Sequence, residues 1–243
     1  MHNRARRTER FFSPDFIIMG RERIFRFKQF AVHHGESAMK VGTDAVSLGA
    51  WAPCTGRVLD VGCGCGIIGL MAAQRGAERV AMIDIDAPSV AEATENAANS
   101  PWGEKVTVQC LNFLDLENQN FDNILSNPPF FASGILAPDL RRAAARHEGD
   151  LTPEAFMRKA SEVLSPNGNV SIIIPPDRLE TWSFAAQLAG LYPERICGLL
   201  TKSGTAPRRI MAAFSRRRQS APTMEELSIN SSQYKTITEE FYL

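Results

Sequence analysis

Asn127-Pro128-Pro129-Phe130 is the run in this 243-residue chain whose residue types best fit chemistry on a planar amine. The Asn127 side-chain oxygen, together with a proline-flanked carbonyl, can accept hydrogen bonds from an exocyclic NH2 group and turn its lone pair toward a group donor. Two consecutive prolines remove two backbone donors and stiffen the chain, which suits a rigid strand-end loop and not a strand interior. Phe130 can stack on the target ring. Catalysis of this kind is positioning plus charge stabilisation, with no metal and no covalent enzyme intermediate.

A second constellation begins 65 residues earlier, at Gly62 in the run VLDVGCGCGIIGL. Gly62, Gly64 and Gly66 permit close backbone approach, and the N–H groups of the helix that follows can bind polar oxygens. Asp84 lies 22 residues after Gly62, at the end of the next strand. A carboxylate there can accept hydrogen bonds from two ribose hydroxyls, as in dinucleotide sites. Glycine loop and acid together argue for a nucleoside-containing cofactor; no GKS or GKT run is present to hold a nucleoside triphosphate. Asp86, two residues further on, reads as a helix cap and not as a cofactor contact.

The elements that must hold these residues follow from periodicity. FRFKQFAV, from Phe25 to Val32, alternates with period two and predicts a short strand or hairpin arm. A helix capped by Thr43 or Asp44 ends near Pro53. Strand signals at 57–61, 80–83, 106–111 and 121–126 alternate with helices from Ile67 and over 86–99. Thr152-Pro153-Glu154 starts a further helix that SPNG (165–168) ends, before a buried strand at 169–174. A helix near 178–189 and strands near 195–200 and 208–215 complete the pattern. This alternation predicts a Rossmann-like α/β fold, a mostly parallel sheet of about seven strands flanked by helices. The expected organisation is a basic N-terminal extension (1–30), a core domain (31–218) and a C-terminal extension (219–243) that folds back or stays mobile.

Composition narrows the class. Hydrophobic residues at 44% and charged residues at 22% exclude a predominantly disordered chain. No run approaches the roughly 20 apolar residues of a membrane span, and the basic start lacks a signal-peptide apolar region, so a cytoplasmic protein is expected. Five cysteines, with the only close pair inside the glycine turn, form neither a disulfide framework nor a zinc site. Formal net charge is zero, yet residues 1–30 hold eight Lys/Arg against three Asp/Glu, and residues 51–130 hold four against ten. The last 43 residues carry seven basic and four acidic side chains. Such separation can present a positive edge to an acidic partner, or serve only as solvated surface.

Beyond these readings, DVGCGCG resembles the first motif of S-adenosyl-L-methionine-dependent methyltransferases. The resemblance implies that Asp60 and the glycine loop lie beside the methionine part of the cofactor, that Asp84 and Ile85 meet its nucleoside, and that Asn112-Phe113 contacts adenine. An acid is usual at position 112, so Asn112 can offer only an amide oxygen to the adenine amine. Asn-Pro-Pro-Phe resembles the motif of enzymes that methylate adenine N6, cytosine N4 or glutamine amide nitrogen, with Asn127 also near the cofactor. FRFKQFAVHHGESAMKVGTDAVSLGAW (25–51), RRAAARHE (141–148) and the terminal TEEFYL extend the likeness over nearly the whole chain, to the bacterial tRNA1(Val) adenine-N6 methyltransferase family.

That resemblance implies methyl transfer to N6 of adenine 37, next to the anticodon, with the tRNA anticodon stem-loop as partner and no obligate protein partner. Lys40, Thr43 and Asp44 would then lie near the cofactor. Phe25, Lys28 and Phe30 would close the pocket or guide RNA, and Arg141, Arg142 and Arg146 would meet phosphates. His147 is not needed as a base. The alternatives are methylation of an rRNA guanine N2 or a protein glutamine N5, and an RNA-binding module without chemistry.

Overall fold

The order in which strands join the sheet brings the two constellations together. The computed structural model describes residues 24–35, 41–117, 119–128 and 151–242. Strands β1 (Ile24–Arg26) and β2 (Ala31–His33) form an antiparallel hairpin. There follow α1 (Thr43–Trp51), β3 (Arg57–Val61), α2 (Ile67–Gln74), β4 (Arg79–Asp84), α3 (Ala87–Ala98), β5 (Val106–Cys110) and β6 (Phe121–Ser126). The second half holds α4 (Pro153–Val163), β7 (Leu164–Ile174), α5 (Leu179–Leu188), β8 (Tyr192–Leu200), β9 (Arg209–Ser215), β10 (Thr223–Ser228) and α6 (Ser232–Thr238).

The main sheet runs β10-β8-β9-β7-β6-β3-β4-β5, parallel throughout except for β9, which is antiparallel to both neighbours. It has eight strands where the sequence predicts about seven. The eighth comes from the tail: β10 pairs with β8 from Thr223 against Arg195 to Ser228 against Leu200. Leu227, Tyr234 and Phe241 are buried behind it. The apolar residues of this tail are too sparse to show a period, so only the edge of β8 reveals the strand.

Strand alternation divides the core. Val58 and Asp60 face the layer of α1, α2, α3 and α6, whereas Leu59 and Val61 face α4 and α5, where Phe156 and Trp182 are buried. Burial on both faces explains why the central strands read as continuous apolar runs. Asp86 does cap α3, accepting from Ser89 N at 3.0 Å, and Thr152 caps α4 with Pro153 behind it. At α1 the expectation is one residue off: Gly42 is the N-cap, with no side-chain bond, and Thr43 is already helical. SPNG does not separate α4 from its strand. β7 starts at Leu164, paired with Phe121, and the next pair is Asn123 with Asn169, so SPNG is a bulge within the strand.

Two polar residues of α3 clamp the hairpin. Asn96, fully buried, accepts from His33 N at 2.8 Å and donates to His33 O and to Cys65 O at 2.8 and 2.9 Å. Glu92, one turn earlier, accepts from Gly35 N. One side chain therefore ties β2 to the glycine loop. Asn96→Ala strips partners from three backbone groups and is expected to cost about 1–2 kcal/mol in urea unfolding. An unchanged midpoint with an unchanged slope would show that water replaces the amide without loss.

Candidate active site

The first strand of the sheet, β3, has β4 on one side and β6 on the other, so the strand order reverses between β3 and β6. In open α/β sheets ligands bind outside the carboxyl ends of the strands at such a point. Val61 pairs with Ser126, and Ser126 Oγ donates to Val61 O at 2.8 Å. Gly62 and Asn127, the residues that follow, thus emerge side by side despite 65 residues of separation. Asn127 is 8% exposed and Pro128 is buried. The Asn127 Oδ1 atom is buried without a hydrogen-bond partner among the described residues. A buried acceptor left open costs free energy unless a ligand donor meets it.

The glycine loop is built differently from a phosphate cradle. Gly62 N and Cys63 N both donate to Ile83 O, at 2.9 and 3.0 Å, and Gly64 N donates to Asp84 Oδ2 at 2.9 Å. The Gly62, Cys63 and Gly64 amides are therefore spent on β4, and Gly66 N donates to Cys63 O within the loop. Gly64-Cys65-Gly66-Ile67-Ile68-Gly69 does have GxGxxG spacing, but Gly64 offers no free amide to a pyrophosphate. Gly62 and Gly64 adopt φ of 68° and 53°, and a Cβ on either would meet no atom of the described residues within 4 Å. The loop consequently fronts open space that glycine keeps clear.

Beneath it lies Asp60, fully buried on the α2 face, with Oδ2 accepting from Gly69 N at 2.9 Å and Oδ1 without a partner among the described residues. Burial, opposed by the Gly69 bond and reinforced by the Asp84 charge, pushes its carboxyl up to about 7. The fold thus keeps a proton that the unfolded chain, with its ordinary value of 3.8, has released. Stability falls as pH rises from about 4 to about 7 and is flat above that window. Asp60→Asn keeps an acceptor for Gly69 and carries no charge. Its melting temperature relative to the parent is expected to rise between pH 4.5 and 8; a pH-independent difference would place the titration elsewhere.

Asp84 serves both loop and ligand space. Its Oδ1 accepts from Asp86 N at 3.0 Å and its Oδ2 from Gly64 N, which leaves about two of its four lone-pair sites open. Ile85 beside it is 43% exposed, an apolar surface that no core contact explains. Asn112 Oδ1 accepts from Leu114 N at 3.0 Å and caps a 3-10 turn, so it is already engaged. The Phe113 ring is buried against Phe156, 5.0 Å between centroids. Cys63 and Cys65 are buried, and desolvation with the nearby acids raises both thiols, Cys65 to about 12, so neither is a thiolate nucleophile or ligand.

The flanking residues have partners within the fold. Asp44 Oδ2 pairs with Arg209 Nε at 2.7 Å, so its carboxylate braces the α1 start against β9; Thr43 beside it is exposed. Phe30 is 6% exposed, stacked on Phe27 at 4.6 Å and edge-on to Trp102. Phe25 packs against Phe27 and Tyr242. Lys28 Nζ donates to Glu239 O at 2.7 Å, a cation at the carbonyl end of α6. Lys40, Pro129, Phe130, Arg141, Arg142, Arg146 and His147 lie outside the described residues. Sequence reasoning missed the Asn96 clamp, whose only trace is two polar residues at i, i+4 on an otherwise small-residue helix face.

Comparisons with known proteins agree with this geometry. The family model for the methyltransferase small domain matches residues 42–178. The tRNA1(Val) (adenine(37)-N6)-methyltransferase of Bacteroides fragilis is 40% identical over 230 residues, covering 90% of this chain and 97% of that protein. The protein of the same name from Tolumonas auensis is 37% identical over 230 residues, covering 90% and 96%. Among solved structures, a predicted O-methyltransferase from Agrobacterium tumefaciens superposes with a TM-score of 0.62 at 18% identity, covering 82% of this chain and 96% of that one. The ribosomal protein L11 methylase from Lactobacillus delbrueckii subsp. bulgaricus gives 0.51 at 23%, covering 72% and 78%. The structures share the fold, while the sequence relatives cover 90% of this chain. The chain belongs to the methyltransferase small-domain family, within its tRNA1(Val) (adenine(37)-N6)-methyltransferase group.

Proposed function

We propose that this chain transfers a methyl group from S-adenosyl-L-methionine to N6 of adenine 37 in tRNA1(Val), in the cytoplasm, with the anticodon stem-loop as the bound element. The observation that carries the reading is Asn127: a buried acceptor with no partner among the described residues, beside the glycine loop at the switch point. The donor set fits the cofactor. Asp84 has lone pairs for ribose hydroxyls, Ile85 offers an apolar face to adenine, and open space over Gly62 and Gly64 admits the methionine part above the unpartnered Asp60 Oδ1. When bound, S-adenosyl-L-methionine supplies an electrophilic methyl group on a sulfonium.

The chain's own residues position the nucleophile. Asn127 Oδ1 accepts one N6–H, which draws electron density onto the amine nitrogen and fixes its orientation. Pro128 holds the Asn127 backbone in a narrow range, because the residue before a proline is restricted and the ring removes a donor. The buried Asn127 environment strengthens this hydrogen bond relative to water. Adenine must leave its stack to reach this acceptor, as in base-flipping enzymes.

The test is incubation with labelled S-adenosyl-L-methionine and unmodified tRNA1(Val) transcript, then nuclease digestion and mass spectrometry. One N6-methyladenosine at position 37 is expected. Label on guanine, on a glutamine-bearing protein or on no substrate would overturn the assignment.

A further inference from the structure

We infer that the β8–β9 loop, through Lys202 and Arg208, is a phosphate-binding rim that receives the RNA backbone beside the target site. The argument is topological. All strands of the main sheet but β9 are parallel, so their carboxyl ends share one edge, where Gly62, Asp84 and Asn127 stand. β8 arrives at that edge with Leu199 and Leu200, and β9 departs from it at Arg209, paired with Leu199. Residues 201–208, TKSGTAPR, therefore project from the catalytic edge. On β9, Ile210 lies opposite Ile174 of β7, and on β7, Ile172 lies opposite Ser126, which precedes Asn127. Two strand steps separate the loop from the target acceptor.

The chemistry of the loop fits a polyanion. It contains two cations and no carboxylate, and its Lys202, Ser203, Thr205 and Arg208 are exposed. Neither the Lys202 ammonium nor the Arg208 guanidinium has an acidic partner among the described residues. The loop is shaped by a turn, with Thr205 Oγ1 donating to Lys202 O at 2.7 Å and Gly204 at φ 78°. Its base is fixed by Arg208 N to Leu199 O and by the Arg209–Asp44 pair, so the two free cations sit on an ordered support.

The more conspicuous basic run, Arg216-Arg217-Arg218, is the internal contrast. It follows the other end of β9, about 20 Å away across six strand residues. Its cations are also engaged: Arg216 donates to Ser161 O and Ser161 Oγ, Arg217 pairs with Glu194 at 3.4 Å, and Arg218 lies 5.1 Å over the Tyr192 ring. Charge counting favours this run, whereas strand direction assigns the catalytic edge to Lys202 and Arg208.

This inference rests on the RNA substrate proposed above. The test measures binding of full-length protein to fluorescein-labelled, unmodified tRNA1(Val) transcript over 50–200 mM salt, for the parent, Lys202→Gln/Arg208→Gln and Arg217→Gln/Arg218→Gln. Each phosphate contact contributes roughly 0.7–0.9 to the slope of log affinity against log salt. The loop variant is expected to lose about 1.5 from that slope and to bind about tenfold more weakly at 100 mM, with the Arg217/Arg218 variant unchanged. A parental slope in the loop variant, or an equal loss in both variants, would overturn the rim. If the parent binds the tRNA but leaves adenine 37 unmodified, the assigned reaction fails while the slopes still decide the rim; if it binds no RNA, both fail.

Discussion

Asn127→Ala is expected to lower the single-turnover rate of methyl transfer by about 100- to 1,000-fold at saturating RNA and cofactor, the range seen when a buried polar group that orients a reacting atom is removed. Cofactor affinity should be nearly unchanged, because the loop amides are held by Ile83 O and Asp84 and not by Asn127. Folding should survive as well: Oδ1 makes no hydrogen bond to a described residue, so its removal leaves no described donor stranded. Asn127→Asp separates geometry from charge. It keeps an acceptor of similar size, removes the amide donor and places an anion at a nearly buried position, so partial activity with a shifted pH profile is expected. A folded Asn127→Ala protein with the parental single-turnover rate would overturn the catalytic role even if its RNA affinity had fallen.

Asp84→Ala should raise the dissociation constant for S-adenosyl-L-methionine by about 100-fold. Two effects add. The ribose hydroxyls lose their charged acceptor, a loss of about 1–3 kcal/mol in all when they are left poorly satisfied. The glycine loop also loses the bond from Gly64 N, and the strand end loses the bond from Asp86 N, so a preorganised surface becomes one that binding must order. Asp84→Asn distinguishes the two, since its single oxygen can keep one backbone donor but accepts less strongly from a hydroxyl. Titration calorimetry should place it between the parent and Asp84→Ala. Unchanged affinity in a folded Asp84→Ala protein would remove Asp84 from the cofactor site, whatever became of activity.

The chemistry-bearing residues near the first strands were legible because each sits at an element boundary with its own local cause. A glycine run after an apolar strand, an acid at the end of the next strand, Asp86 before a helix and two prolines closing β6 are short-range signals. They survive folding because turns, caps and prolines act on neighbouring residues. The parallel α/β architecture was legible for the same reason, from strand-helix alternation.

Side-chain destinations were not. The packing partners of Phe30 and Phe113 could not be read from the sequence, because an aromatic ring is recruited by whichever apolar surface the fold brings near: Phe27 and Trp102 for one, Phe156 for the other. The partners of Asp44 and Asn112 were equally non-local or conformational: Arg209 Nε donates to one and Leu114 N to the other. The eighth strand needed the exposed edge of β8, a non-local partner that no window of the tail contains. The placement of the basic groups depended on the direction of one strand. Composition establishes that the C-terminal region is positive, while the antiparallel β9 decides that Lys202 and Arg208 share an edge with Asn127 and that Arg216–Arg218 do not. Charge is a property of residues, but a field at a site depends on which end of the sheet holds them.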